Sequence, residues 1–274
     1  MKIYPVAGGY VQAMRAVESP HVLIALPYQK EIRKLKYRPE GMMLDSGAFS
    51  AWNVGETVSL DRFHAWVESI EAGTVEGAEN LAPERIYINL DVIPGKKGSV
   101  PSRAEKKKAV EEGFANADEI RTWGVPMMEV FHQGEPPAIL DKIISRRRPG
   151  DVIGISARKD LTLRERREWI GQVFSKLLSE HPLDRFPPCH GLGCSNRGLI
   201  WNFPWISVDS SAWVAASKFG ITTNRLGSPR KDSERNTGSA GYRILGCQRV
   251  LELWAKWEIE IGEMWERRGV RLED

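Results

Sequence analysis

Acidic side chains follow several short apolar runs in this sequence. Asp45 follows an apolar run in "MMLDSGAFSAW". Asp91 follows another in "YINLDVIPG", and Asp209 a third in "ISVDSSAW". One acid after a strand is usually a cap or turn former, but three of them predict a functional site. Converging carboxylates suit two chemistries. They can bind Mg²⁺, or they can divide nucleophile and acid/base roles at a sugar carbon.

Other polar or small residues stand at equivalent places along the chain. His132 and Gln133 occur in "EVFHQGE", Gly154 in "IGIS" and His190 in "CHGLGC". A glutamine side chain both donates and accepts hydrogen bonds. Gln133 therefore suits the amide-like edge of a nucleobase better than a metal ion.

These residues belong to a regular succession of apolar runs and helical patterns. Strands are predicted over residues 2–6, 21–26, 42–44, 85–90, 127–131, 152–155, 189–192 and 205–208, and helices over 60–72, 102–123, 161–179 and 244–268. Strands that alternate with helices indicate a parallel sheet and an α/β fold. Eight strands in about 250 residues predict a (β/α)8 TIM-type barrel with a long C-terminal helix. A doubly wound open sheet is the alternative, because the first two units are short of helix.

Composition sets the remaining limits. The 274 residues, 42% of them hydrophobic, fit a single domain over 1–274, in which the polar, glycine-rich segment 227–242 is predicted to be a mobile loop. Three cysteines cannot form a dense disulfide framework. With no signal peptide and no apolar stretch of ~20 residues, a cytoplasmic protein that does not enter membranes is expected. A net charge of +3 gives no global argument for nucleic-acid binding.

Taken in order, these motifs resemble those of the tRNA-guanine transglycosylase superfamily, whose (β/α)8 enzymes exchange guanine for a 7-deazaguanine base. Asp45 to Phe49 is similar to the family's DSGG-aromatic motif, and Asp91 stands where a base-binding aspartate follows a strand. Gln133 and Gly154 fall at the family's base-reading positions. The segment that begins His190-Gly191 is similar to a shortened H-x-x-G-x-G motif, and Asp209 falls where the nucleophile is held. The resemblance covers about residues 45–209.

The sequence departs from the tRNA enzymes beyond Asp209. Those enzymes carry a structural zinc site there, whereas this chain has only Cys247 and no histidine in that region. The zinc subdomain is therefore expected to be missing, and Cys189 and Cys194 are expected to be packing residues. In this respect, and in its length, the chain resembles the compact relatives, often phage-encoded, that place 7-deazaguanines into DNA.

The resemblance implies a role for each site residue. Asp209 would attack the anomeric carbon, and Asp45 would protonate the departing guanine. The base pocket would contain the following residues: Asp91 and Gln133 as readers of the base edge, the Gly154 backbone, Phe49 as a stacking partner, and Ser46, His190 and Gly191. Phe49 as a core aromatic is the alternative. No cofactor and no metal are implied.

The implied enzyme is a pentosyltransferase that replaces guanine in DNA by a 7-deazaguanine such as preQ0. Its phosphate contacts are predicted on the basic segment with Arg225, Arg230, Lys231 and Arg235, and on Arg146–Arg148. The expected partners are DNA and the free base, in the host cytoplasm for a phage protein, and a homodimer is compatible with this assignment. The alternatives are a tRNA-guanine transglycosylase of the queuine type, a metal-dependent barrel hydrolase using Asp45, Asp91, His132 and Asp209, and a catalytically silent nucleic-acid-binding barrel.

Overall fold

The structure is a computed structural model that describes residues 1–95, 99–214, 221–223, 229–231 and 240–271. Side chains are not described for residues 221–223, 229–231 and 240–243. Of the predicted phosphate-binding residues, Arg225 and Arg235 lie outside the described part. So do the side chains of Arg230 and Lys231.

Eight parallel strands form one sheet: β1 (Lys2–Pro5), β2 (His21–Ala25), β3 (Gly41–Asp45), β4 (Glu84–Ile88), β5 (Met127–His132), β6 (Val152–Ser156), β7 (Cys189–Leu192) and β8 (Ser207–Ser210). Their spatial order is β1-β8-β7-β6-β5-β4-β3-β2. In this order β1 and β2 are the two edge strands. The sheet curves so that these two edges meet and close a barrel. The predicted (β/α)8 barrel is confirmed, and the open doubly wound sheet is wrong.

The barrel closes through a short seam between β1 and β2. Val6 forms an isolated parallel bridge with Leu23, and the Ala7 N–H donates to the Leu23 carbonyl at 2.7 Å. At the other end of the seam, Glu258 of the C-terminal helix accepts from the Ile3 N–H and lies 2.9 Å from His21 Nδ1. A side chain therefore joins the two strands where they share no ladder in the described chain.

The helices lie outside the barrel: α1 (Val11–Val17), α2 (Ile32–Leu35), α3 (Ala48–Asn53), α4 (Leu60–Glu71), α5 (Arg103–Thr122), α6 (Pro137–Arg146), α7 (Leu163–Glu180), α8 (Arg197–Ile200) and the C-terminal helix (Ala240–Glu266). The first two units carry only short helices, as expected. Ser102 and Thr162 begin α5 and α7 with capping boxes. No helix in the described ranges is long and apolar enough to cross a membrane.

Both faces of the sheet are buried, which is why the strands are near-continuous apolar runs. A small cluster fills the barrel interior: Tyr4, Leu23, Met43, Ile86, Ile88, Met128, Val130 and Val152. A larger cluster packs the outer face of the sheet against the helices. Within the segment predicted as a loop, 229–231 pairs antiparallel with 221–223, and the C-terminal helix already begins at Ala240.

Candidate active site at the carboxyl end of the barrel

The predicted acids lie at the carboxyl ends of their strands. Asp45 is the last residue of β3, Asp209 is the third of the four residues of β8, and Asp91 follows β4. The carboxylates of Asp209 and Asp91 each raise the pKa of Asp45, so the three groups interact electrostatically. The structure thus brings together at one mouth the three acids that the sequence singled out.

Asp209 is a buried carboxylate with one oxygen already held. Its Oδ1 accepts from the Gly193 N–H at 2.8 Å and lies 3.1 Å from His190 Nε2. In the part of the chain that the structure describes, no hydrogen bond reaches Oδ2. A carboxylate oxygen accepts hydrogen bonds, so the Nε2–H tautomer of His190 would donate to Oδ1. One oxygen is fixed in place and the other can react.

The orientation of the His190 ring is fixed by a second contact, on the side away from Asp209. His190 is fully buried, and its Nδ1 lies 2.8 Å from Ser207 Oγ, so both ring nitrogens have partners. The absence of a side chain at the neighbouring Gly191 is explained by packing. A Cβ there would meet Cys194 and Val208 atoms at 3.1 Å, in the outer packing layer. Here His190 orients the predicted nucleophile, and Gly191 has a packing role.

Asp45 is set up for proton transfer. Burial raises its pKa to about 6; the Gly47 N–H, which donates to Oδ1 at 3.0 Å, opposes this rise, and the charges of Asp209 and Asp91 reinforce it. A carboxyl with this pKa can both give and take a proton near neutral pH.

The chain after Asp45 turns sharply to present that N–H. Gly47 has φ +80°, and a Cβ there would lie 2.4 Å from Pro27 Cδ, so only glycine fits. Ser46 is buried, and its hydroxyl donates to the Asn89 carbonyl at 3.2 Å. The "DSG" sequence therefore combines an acid, an anchor to the neighbouring strand end and a turn.

Asp91 is held by two neighbours. Its Oδ2 lies 3.1 Å from His132 Nε2, and its Oδ1 accepts a long bond of 3.4 Å from Asn89 Nδ2. Burial opposes protonation of His132, but the charge and hydrogen bond of Asp91 outweigh it and raise the pKa of the histidine. A carboxylate offers about four acceptor positions, so Asp91 can still accept from a base.

Glu135 completes this group and was missed by the sequence analysis. Its Oε2 accepts from the His132 N–H at 2.8 Å, and burial raises the pKa of its carboxyl. Together with Asn89, Asp91 and His132, it lines a small cleft between β4, β5 and the helices α5 and α6. Asn89 Oδ1 is buried and has no partner in the described residues. The cleft is therefore rich in acceptors, which suits a ligand that donates.

Gln133 follows β5. The oxygen of its side-chain amide, Oε1, accepts from the backbone N–H of Arg158 at 3.0 Å. This bond leaves the amide N–H₂ to donate, which is the role predicted for it. Gly154 lies in the middle of β6, and a Cβ there would meet Leu192 Cδ1 at 2.8 Å and Val130 Cγ2 at 3.0 Å. Interior packing alone thus requires a glycine at 154; its contact with a base remains a prediction.

Phe49 is exposed at the mouth, so the alternative of a core aromatic is wrong. Its side chain is 53% exposed and stacks on Trp52 with ring centroids 6.2 Å apart. Lys159 Nζ lies 5.2 Å from the centre of the Phe49 ring. An exposed aromatic beside Asp45 is free to stack on a ligand.

The arginines 146–148 do not reach the mouth as free cations. Arg146 pairs with Asp118 and lies 3.4 Å from Glu129, and Arg148 lies 3.5 Å from Asp151. Glu129 and Asp151 are both buried and need these cations as partners. The prediction that this run contacts phosphate is therefore replaced by a structural role.

The three cysteines are buried thiols. Burial raises the pKa values of the Cys189 and Cys194 thiols to about 12, so both stay protonated. No group of three His, Cys, Asp or Glu side chains within the described ranges is arranged to hold a metal ion.

Comparison of the chain with protein-family models and with curated proteins found no match. The resemblance to the transglycosylases therefore rests on the ordered motifs alone.

Proposed function

We propose that the chain is a base-exchange transglycosylase that replaces guanine in DNA by a 7-deazaguanine such as preQ0. One observation carries the proposal, which is the division of roles between two acids at one mouth. Asp209 has one oxygen held and one available to attack. Asp45 has its pKa raised to about 6 and can shuttle a proton. The choice of DNA comes from the resemblance to the compact relatives.

The first half of the reaction removes guanine. Asp209 Oδ2 forms a bond to the anomeric carbon while the glycosidic bond to the base breaks. The electron pair leaves with the base, which takes the proton of Asp45 and departs neutral. The glycosyl group is then bound covalently to Asp209, and Asp45 is ionised.

The second half reverses these steps with a new base. Asp45 takes the ring N–H proton of a 7-deazaguanine, whose nitrogen attacks the same carbon as the bond to Asp209 breaks. Two inversions give overall retention. The atoms and charges balance without a cofactor, and the DNA backbone stays intact.

Base recognition would involve the groups around Asp91 and Gln133. Asp91 accepts from the ring N–H and amino group of a guanine-type edge, and Gln133 donates to its carbonyl. A base within a duplex cannot reach this mouth, so the target nucleotide must be flipped out or single-stranded. The exposed Phe49 ring would stack against it.

Incorporation of radiolabelled guanine tests the proposal. Wild type, Asp209→Asn and Asp45→Asn would be incubated with guanine-containing duplex DNA or tRNA, with chelator present. We expect label in DNA for wild type and background for both variants. Asp184→Asn, at an exposed aspartate away from the mouth, is the matched control and should behave as wild type.

The other outcomes have distinct meanings. Label in tRNA alone would keep the chemistry and overturn the DNA assignment. Activity in Asp209→Asn would overturn the assignment of the nucleophile. If neither nucleic acid takes up labelled guanine, and neither releases guanine when 7-cyano-7-deazaguanine is supplied, base exchange is wrong. Hydrolysis restored only by a divalent metal would then identify the metal-dependent hydrolase.

A further inference from the structure

We infer that Lys159 binds a backbone phosphate of the nucleotide that reacts at Asp209. This inference rests on the proposed function and extends it by naming a residue that contacts the nucleic-acid backbone. The structural basis is the course of the Lys159 side chain across the mouth.

Lys159 lies just after β6, but its side chain reaches elements that follow two other strands. A Cβ added to Gly193, which follows β7, would lie 2.9 Å from Lys159 Cε and 3.2 Å from Nζ. The same ammonium lies 5.2 Å from the centre of the Phe49 ring, which follows β3. The lysine therefore spans the rim between the segment after β7, whose Gly193 N–H holds Asp209, and the motif that carries Asp45.

Gly193 ties this position to the reacting atoms. Its N–H donates to Asp209 Oδ1 at 2.8 Å, and the end of the Lys159 side chain lies where a side chain at position 193 would begin. A substrate sugar that places its anomeric carbon at Asp209 Oδ2 carries its own phosphate groups only a few bonds away. The rim near Gly193 is where such a phosphate would come to lie.

Charge supports the same assignment. The mouth holds Asp45, Asp91 and Asp209, which repel a polyanion, so a strand entering it needs a cation at the rim. Arg158 is committed to Asp160, with Nε 3.1 Å from Oδ1. Lys159 is exposed and has no carboxylate partner among the residues that the structure describes. Its ammonium can therefore serve a ligand.

The test compares Lys159→Gln with Lys142→Gln. Lys142 is a matched control because it also lies over a phenylalanine ring, 3.7 Å from the centre of Phe114, but on α6 outside the mouth. DNA binding would be measured against salt concentration in the Asp209→Asn background, which cannot turn over. We expect Lys159→Gln to reduce the slope of log K against log [salt] by about 1. Lys142→Gln should leave the slope unchanged.

A neutral methylphosphonate placed at each position around the target guanosine would locate the contact. At one position the methylphosphonate should weaken DNA binding by the protein that retains Lys159. The same substitution should have no further effect on DNA binding by Lys159→Gln. Equal salt slopes for the two glutamine variants, or additive effects at every phosphate, would overturn the inference while base exchange stands. Failure of wild type to bind or exchange any nucleic acid would instead remove the proposed function, and this inference with it.

Discussion

The raised pKa of Asp45 links its proposed role in proton transfer to the stability of the fold. Its carboxyl has an ordinary pKa of 3.8 and a folded pKa of about 6. The folded protein therefore binds a proton between these values that the unfolded chain does not bind. The cost of ionising Asp45 is absent below about pH 4 and complete above about pH 6, so this group lowers stability as pH rises.

Asp45→Asn should therefore stabilise the protein at pH 8, while it abolishes the proposed base exchange. The gain in the free energy of unfolding is at most about 3 kcal/mol at pH 8 and close to zero at pH 4. Urea unfolding of wild type and variant at the two pH values measures it. Asp184→Asn, on an exposed aspartate, controls for the loss of a charge. An equal difference at both pH values would contradict the assigned pKa.

At the scale of elements, the junction of β3 and α3 shows how one turn serves the site. Gly47 combines a positive φ, contact with Pro27 and an N–H directed at Asp45. Gly55 has a similar φ of +78°, but nothing lies within 4 Å of the place where its Cβ would be. A substitution at either glycine strains the backbone, but only one at Gly47 also creates a steric clash. Comparing the two positions therefore separates the two effects.

Gly47→Ala is predicted to destabilise the protein by about 2 kcal/mol more than Gly55→Ala, because its methyl group must displace Pro27. The same shift should weaken the N–H bond to Asp45 and raise the pKa of that carboxyl further. Denaturant unfolding and the pH dependence of exchange measure these effects. Similar losses in the two alanine variants would show that the Pro27 contact is unimportant.

The placement of the acids was predictable because their elements are simple. Parallel strands buried on both faces read as apolar runs, and a barrel brings all their carboxyl ends to one mouth. Asp45, Asp91 and Asp209 could therefore be located together from sequence. Lys159 and Glu135 could not, because their importance depends on long side chains that meet residues of other strands. The structural role of Arg146 was not predicted either, because its buried partner Glu129 lies on β5, 17 residues earlier in the chain.

At the scale of the whole molecule, Glu258 supports the closure of the barrel. The side chains of Glu258 and His21 are only 11% and 9% exposed, and Glu258 also accepts from the Ile3 N–H. This contact joins β1, β2 and the C-terminal helix at the end of the seam opposite the Val6–Leu23 bridge. No sequence pattern indicated it.

Glu258→Ala should cost about 3 kcal/mol in the free energy of unfolding, because it leaves a buried backbone donor and His21 without their partner. Thermal or urea unfolding measures the loss, and hydrogen exchange should rise first in β1 and β2. Glu260→Ala, on an exposed face of the same helix, should change stability by less than about 0.5 kcal/mol. Equal effects of the two variants would show that the seam does not depend on Glu258.

The seam also has a consequence for synthesis on the ribosome. Ile3 and Glu258 are 255 residues apart, so the first strand is made long before the helix that secures it. At ordinary translation rates this interval is on the order of tens of seconds. For most of it β8 has not been made either, and the edge of β1 that pairs with β8 is open to other chains. The order of synthesis therefore leaves the nascent chain liable to wrong pairing at β1 until residue 258 has been made.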